Sequence, residues 1–241
     1  MEFENKIAIV TGAAAGIGKA VAMQLAAGGA AVVMTDINED QLQQAAEEIA
    51  AKGGKAVPFV CDVRDEEKVY ALVHRVLADF GRVDILINNA GVYDEAIPFE
   101  QSESSVWKRK IDINILGTMY FTHSVLDSMI EKQYGWIVNI GSVAGVYGIK
   151  YFVDYSMTKG AVIAFTKALA KHVGDKGITV NCVSPGNIHP EDEENQYGHM
   201  SFLGRCGSPD ECADAICYLA SDRASFISGQ NLLVDGCRKV M

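Results

Sequence analysis

Two hydrophobic patterns alternate along the chain. Short, nearly continuous apolar runs are separated by longer stretches in which apolar residues recur at helical spacing. The short runs predict strands at Ile7–Thr11, Ala31–Thr35, Ala56–Val60, Val83–Ile87, Gly135–Ile140, Ile178–Val183 and Asn231–Val234. The longer stretches predict helices at Ile17–Ala27, Glu39–Lys52, Glu66–Phe80, roughly Glu103–Glu131, Tyr155–Val173 and Pro209–Ala220. Strands this uniformly apolar are covered on both faces, and strict β-α alternation predicts an α/β fold with a parallel sheet and right-handed crossovers. No repeat, low-complexity tract or linker interrupts the pattern, so a single domain over residues 1–241 is expected. One stretch breaks the rhythm. Asn187 to Gly204 is polar and carries Glu191-Asp192-Glu193-Glu194. It is too long for an ordinary connection, and such loops commonly act as lids.

Composition narrows the function classes. Of 241 residues 49% are hydrophobic, enough for a large core, and the formal net charge is -10. That charge opposes binding to nucleic acid or to an anionic lipid surface, both of which need clustered Lys and Arg. Cys61, Cys182, Cys206, Cys212, Cys217 and Cys237 form no CxxC pair and no Cys/His cluster with zinc spacing, so reduced thiols and no metal are expected. The first residues lack a basic segment followed by an apolar one, and no apolar run is long enough to span a bilayer. A cytoplasmic location is expected.

The first predicted strand ends in Thr11-Gly12-Ala13-Ala14-Ala15-Gly16-Ile17-Gly18, where a helix begins. Glycines there allow a sharp turn and close approach of backbone to a pyrophosphate, and the new helix offers free N–H groups to the anion. A tight turn without ligand is the alternative. Asp36, after the second strand, suits the adenosine ribose hydroxyls and repels a 2'-phosphate, so NAD is expected over NADP. Capping of the next helix is the competing role for Asp36. Asp62-Val63 and Asn88-Asn89-Ala90-Gly91 end the third and fourth strands, where ligands of open α/β sheets bind. Gly12, Ala14, Gly16, Ile17, Gly18, Asp36, Ile37, Asp62, Val63, Asn89, Ala90 and Gly91 are the candidate dinucleotide contacts of this half.

The fifth strand runs into Gly141-Ser142, and thirteen residues later comes Tyr155-Ser156-Met157-Thr158-Lys159. Tyr155 and Lys159, at i and i+4, share one helix face. A phenol titrates near ~10, and bringing it to about 7 with a neighbouring ammonium takes roughly 4 kcal/mol. A Tyr so tuned serves as general acid toward a carbonyl oxygen or general base toward an alcohol, and Ser142 can hydrogen-bond the same oxygen.

Taken together, Thr11-Gly12-xxx-Gly16-Ile17-Gly18, Asn88-Asn89-Ala90-Gly91, Asn114, Ser142, Tyr155-xxx-Lys159, Pro185-Gly186, Leu203-Gly204-Arg205, Ser228-Gly229-Gln230 and Val234-Asp235-Gly236 resemble the short-chain dehydrogenase/reductase family in its compact form. The resemblance covers almost the whole chain. It implies a Rossmann-type, doubly wound parallel sheet of about seven strands, and hydride transfer at a nicotinamide with Tyr155 as acid/base. It also implies that Lys159 binds the nicotinamide ribose, that Ser142 orients substrate, and that Asn114 holds a water linking Lys159 to solvent. Pro185, Gly186, Ile188, Tyr155 and Lys159 complete the expected cofactor contacts. A homodimer or homotetramer is implied, packed through the long helix and the Tyr155 helix. The chain departs from the family pattern at Pro190, where a Thr usually contacts the carboxamide, and at Gly236-Cys237 in place of Gly-Gly.

Ser142, Ala144, Tyr147, Phe152 and Tyr155 are the candidate substrate contacts. Val92-Tyr93-Asp94, Val143 to Val146, Tyr151 and the loop add to an aromatic, apolar wall with few cations. That wall suits a neutral secondary alcohol or ketone such as a steroid, polyol or sugar alcohol. The acidic loop opposes phosphorylated, CoA-linked or carrier-linked substrates by like-charge repulsion. A 3-oxoacyl-thioester reductase is the alternative enzyme. A non-catalytic NAD(H)-binding sensor or scaffold is the alternative of another class. His189 and His199 flank the acidic run, with nothing pairing them as metal ligands.

Overall fold

The apolar runs pair side by side as one sheet. The computed structural model describes residues 1–93, 96–189 and 196–239. Its strands are β1 (Ile7–Thr11), β2 (Ala31–Asp36), β3 (Lys55–Val60), β4 (Ile85–Asn88), β5 (Gly135–Ile140), β6 (Ile178–Pro185) and β7 (Asn231–Val234). They lie in the order β3-β2-β1-β4-β5-β6-β7, every pair parallel. The order reverses direction between β1 and β4, the switch point where open α/β sheets form a crevice at the strands' carboxyl ends. This is the Rossmann-like sheet expected.

Alternation along the strands divides the core. Ala8, Val10, Val32 and Met34 meet one helical layer: α1 (Gly16–Ala27), α2 (Glu39–Ala51) and α8 (Pro209–Leu219), through Val21, Leu25, Leu42, Ile49 and Ile216. Ile9 and Val33 face the other layer: α3 (Glu66–Phe80), α5 (Thr118–Lys132) and α7 (Val153–Val173), through Val69, Phe121, Val125 and Val173. Each buried Val, Leu, Ile, Met or Phe side chain among these contributes about 1.5–3 kcal/mol relative to exposure. All six cysteines are free thiols, four of them buried.

The expected long helix from Glu103 to Glu131 is three pieces. α4 (Ser104–Ile111) leads into a wide π-type segment, Asp112–Gly117, and then α5. Tertiary contacts stabilise the wide turn. Asn114 is buried with its amide bonded to another segment, and a Cβ on Gly117 would come within 2.7 Å of the Val63 side chain. Helical periodicity alone does not report a π insertion, which recurs at functional sites. A short helix absent from the sequence expectation, α6 (Val143–Tyr147), follows β5, with Ser142 as its N-cap.

Candidate active site

The glycine turn is locked by the end of β4. Asn89 Nδ2 donates to Thr11 O and Gly12 O, both at 2.9 Å, and Thr11 Oγ1 accepts from Asn89 N at 3.0 Å and Ala90 N at 2.9 Å. Gly12 (φ 63°) has no room for a side chain: a Cβ would lie 2.9 Å from Ala90 Cα. A Cβ on Gly18 would lie 2.1 Å from Gly12 O, whereas Gly16 (φ 55°) opens onto free space. The start of α1 fits an anionic ligand. α2, α3 and α8 are capped by the side chains of Asn38, Asp65 and Ser208; α1, like α4 and α7, has no side-chain cap, and it has no acid in its first turn. Its first N–H groups are left to an exogenous acceptor, as a dinucleotide pyrophosphate would supply.

Asp36 accepts from Ala14 N at 3.2 Å and from Asn38 N at 3.0 Å, and the cap of α2 is Asn38. The competing capping role therefore falls to the neighbour, and Asp36 faces the turn. Ile37, beside it, is exposed. Asp62 is held by Arg64, whose Nε donates at 3.0 and 2.9 Å, and this hydrogen bonding pulls its carboxyl below the usual range. Val63 is buried against Gly117.

The reactive half surrounds a cavity of about 590 Å³. Ile17, Asn89, Gly91, Ser142, Phe152, Tyr155, Lys159, Pro185, Gly186 and Ile188 line it, which brings together residues expected for cofactor and for substrate. Ala144 and Tyr147 do not line it: Ala144 is buried in α6, and Tyr147 is exposed at that helix's end. Ser142 Oγ accepts from Ala144 N at 3.1 Å, which leaves its proton for another oxygen.

Burial raises the Tyr155 phenol above its ordinary value of 10; the Ser142 hydroxyl works against that rise, and Tyr93 adds to it. Lys159 is 5% exposed, and burial pulls its ammonium down to about 8. Its Nζ donates to Ile140 O at 2.8 Å and lies 5.9 Å from the Tyr155 ring centre. The sequence-based expectation of an ammonium drawing the phenol toward neutrality differs from this arrangement. The cation is turned to a carbonyl, and desolvation dominates the phenol.

Asn114 sits in the π-type segment beneath these groups. Its Nδ2 donates to Val92 O and Thr158 Oγ1, both at 3.0 Å, and its Oδ1 accepts from Val92 N at 2.8 Å. It ties the strand-end turn to α7. A Cβ on Gly91 would come within 3.1 Å of Lys159 Nζ.

Other lining residues were missing from the sequence-based substrate set. Ile149 adds to the wall, and Tyr197 stacks on His189 with ring centres 5.4 Å apart. Arg238 reaches the cavity from the turn at Gly236-Cys237, so the wall includes a cation that the expectation did not place there. Its available signal was position: it follows the Gly236-Cys237 departure. Asp94, Pro190 and Glu191-Asp192-Glu193-Glu194 lie outside the described residues. Among the described residues no cluster of His, Cys, Asp and Glu is arranged to hold a metal, and no helix is long and apolar enough to cross a membrane.

Comparison with known proteins agrees with this geometry. Residues 12–237 match a family model described as enoyl-(acyl carrier protein) reductase. The 3-oxoacyl-[acyl-carrier-protein] reductase FabG of Thermotoga maritima is 37% identical over 98% of both chains. Cyclohexanol dehydrogenase of an Acinetobacter species is 38% identical over 98% of this chain and 95% of its own. The structure of an NAD+-bound xylitol dehydrogenase superposes with a TM-score of 0.94 at 33% identity, covering 98% of this chain and all of the other. With Ser142, Tyr155 and Lys159 converging beside a glycine turn at the switch point of the sheet, the chain belongs to the short-chain dehydrogenase/reductase family of oxidoreductases.

Proposed function

We propose that the protein is an NAD(H)-dependent oxidoreductase that interconverts a small secondary alcohol and its ketone. The convergence of Ser142, Tyr155 and Lys159 on one cavity beside the uncapped start of α1 carries this reading. A nicotinamide dinucleotide bound there supplies the hydride for ketone reduction and accepts it in alcohol oxidation. Ser142 donates to the substrate oxygen and holds it at the phenol. In reduction Tyr155 gives its proton to that oxygen as the carbonyl carbon receives the hydride. In oxidation Tyr155 must first be deprotonated; the alcohol O–H proton then passes to its phenolate oxygen as the C–H electron pair leaves as hydride. The raised phenol keeps Tyr155 in its protonated, proton-donating form. Buried Lys159 holds a positive charge near the phenol below its own pKa of about 8.

Asp36 supports NAD over NADP, since its carboxylate stands beside the glycine turn, where it would accept from the adenosine ribose hydroxyls and oppose a 2'-phosphate. Exposed Met119 on α5, with Val153 and Met157 on α7, supports a homo-oligomer packed through those helices. The location consistent with this reading is the cytoplasm, and the partners are a small alcohol or ketone and further copies of the chain. The relatives' substrates, an acyl-carrier thioester in one and cyclohexanol in another, leave the carrier-linked reading as the alternative. Tyr155→Phe tests the mechanism. A fall of about 10²–10⁴ in kcat with NADH affinity retained is expected. Full turnover in the variant refutes the acid/base role, and tight NADH binding without turnover of any alcohol or ketone by the unmodified protein favours a sensor.

A further inference from the structure

We propose that Arg238 binds a carboxylate on the substrate, so that the substrates are hydroxy acids and the corresponding oxo acids; this rests on the alcohol–ketone reading above. Three observations converge on it. First, the tail is built to aim this residue. Gly236 (φ 61°) and Cys237 (φ 57°) turn the chain back, and Arg238 then pairs antiparallel with Ser201. Flanking bonds hold the pairing: Phe202 N to Cys237 O at 3.0 Å, and Lys239 N to Met200 O at 2.9 Å. The left-handed conformation of Cys237, which carries a side chain, costs on the order of 1 kcal/mol or more, and the pairing with Ser201 holds it.

Second, the guanidinium lacks an anion. Arg64, Arg75, Arg82, Arg205 and Arg223 each pair with a carboxylate. Among the described residues Arg238 pairs with none, and its hydrogen bond goes to the neutral Oδ1 of Asn187 at 3.3 Å. Arg238 lines a cavity that Ser142 and Tyr155 also line, and only one of its five donors is spent on Asn187 among the described residues. Third, the described lining contains Lys159 and Arg238 but no Asp or Glu, in a chain whose net charge is -10. Two cations among the described lining, with apolar walls from Ile149, Phe152 and Ile188, suit a planar carboxylate held by a guanidinium fork at one end of a compact hydrocarbon body.

The test is a panel of 2- and 3-hydroxy acids, each with its uncharged amide, assayed with NAD. The acids should exceed their amides in kcat/KM by about tenfold or more. Arg238→Met should bring that ratio to about one through KM, with the NADH Kd unchanged, and Arg238→Lys should retain part of the preference. An acid-to-amide ratio unmoved by Arg238→Met overturns the proposal. So does an equal loss of NADH affinity, which would assign Arg238 to the cofactor. If the unmodified protein binds NADH but turns over neither acids nor amides, the alcohol–ketone reading fails. Arg238 is then decided separately by titrating the oxo acids against the fluorescence of bound NADH. Quenching that Arg238→Met does not weaken overturns the proposal there as well.

Discussion

Gly145→Ala adds one methyl group where α6 crosses α7. Its Cβ would stand 2.5 Å from the Lys159 carbonyl carbon, 2.6 Å from Gly160 N and 2.8 Å from Lys159 O, whereas ordinary contact begins at 3.4 Å. The two helices must therefore separate by about 1 Å, and the obstacle is helix backbone rather than a flexible side-chain end. The five-residue α6 yields more readily than the 21-residue α7. Ser142 is the N-cap of α6, so the shift carries its hydroxyl away from Tyr155. Misplacement by about 1 Å costs on the order of 10²-fold in rate, or about 2.7 kcal/mol of transition-state stabilisation. Overpacking should cost a further ~1–3 kcal/mol of folding stability. Initial rates, NADH affinity by fluorescence titration and the thermal midpoint separate these effects. The kcat should fall about a hundredfold with NADH affinity intact, because the glycine turn is untouched. Gly148→Ala is the control. Gly148 (φ 71°, ψ 139°) has nothing within 4 Å of a Cβ, so the variant should lose about 1–3 kcal/mol of stability to backbone strain and keep its kcat. A Gly145→Ala enzyme within about threefold of the parent kcat would refute the claim that this crossing positions Ser142.

Two further predictions concern the buried cations. Lys159 falls from its ordinary 10.5 to about 8 in the folded protein. Between pH 8 and 10.5 the unfolded chain therefore holds a proton that the folded chain has released, and this residue's contribution to stability rises with pH across that window. Comparing Lys159→Met with the parent in denaturant titrations at pH 7 and pH 10 should show their stability difference shifting by about 3 kcal/mol in the parent's favour at the higher pH; parallel pH curves would contradict the burial. Lys110 and Asp154 form a buried ion pair at 2.7 Å, and Asp154 Oδ1 also accepts from Tyr155 N at 2.8 Å. Asp154→Asn leaves the Lys110 ammonium without that carboxylate and should cost about 3 kcal/mol, read as a lower urea midpoint at constant slope. A shift under about 1 kcal/mol would mean that this pair is effectively solvated.

Much of the architecture was legible because it is written at short range. The uninterrupted apolar runs of β1 and β5 and the helical spacing of α2 and α3 each specify an element within a dozen residues or so. The Gly12 turn, Asp36, Ser142, Tyr155 and Lys159 were legible for the same reason: each stands at a fixed offset from a strand end or helix start. The π-type turn around Asn114 was not, because it depends on Val92, Val63 and Thr158 arriving from distant segments. Nor was α6, whose five residues carry too little periodicity to count.

By itself, then, the sequence determined the element order, the parallel sheet and the placing of Tyr155 and Lys159 on one helix face, since side-chain pattern and glycine placement act locally on the backbone. Tertiary structure decided the direction of the Lys159 ammonium, the dominance of burial at the Tyr155 phenol and the arrival of Arg238 at the cavity that Ser142 lines. Desolvation and close approach depend on what other parts of the chain bring to the same volume, and that is settled only when the sheet and its helices pack.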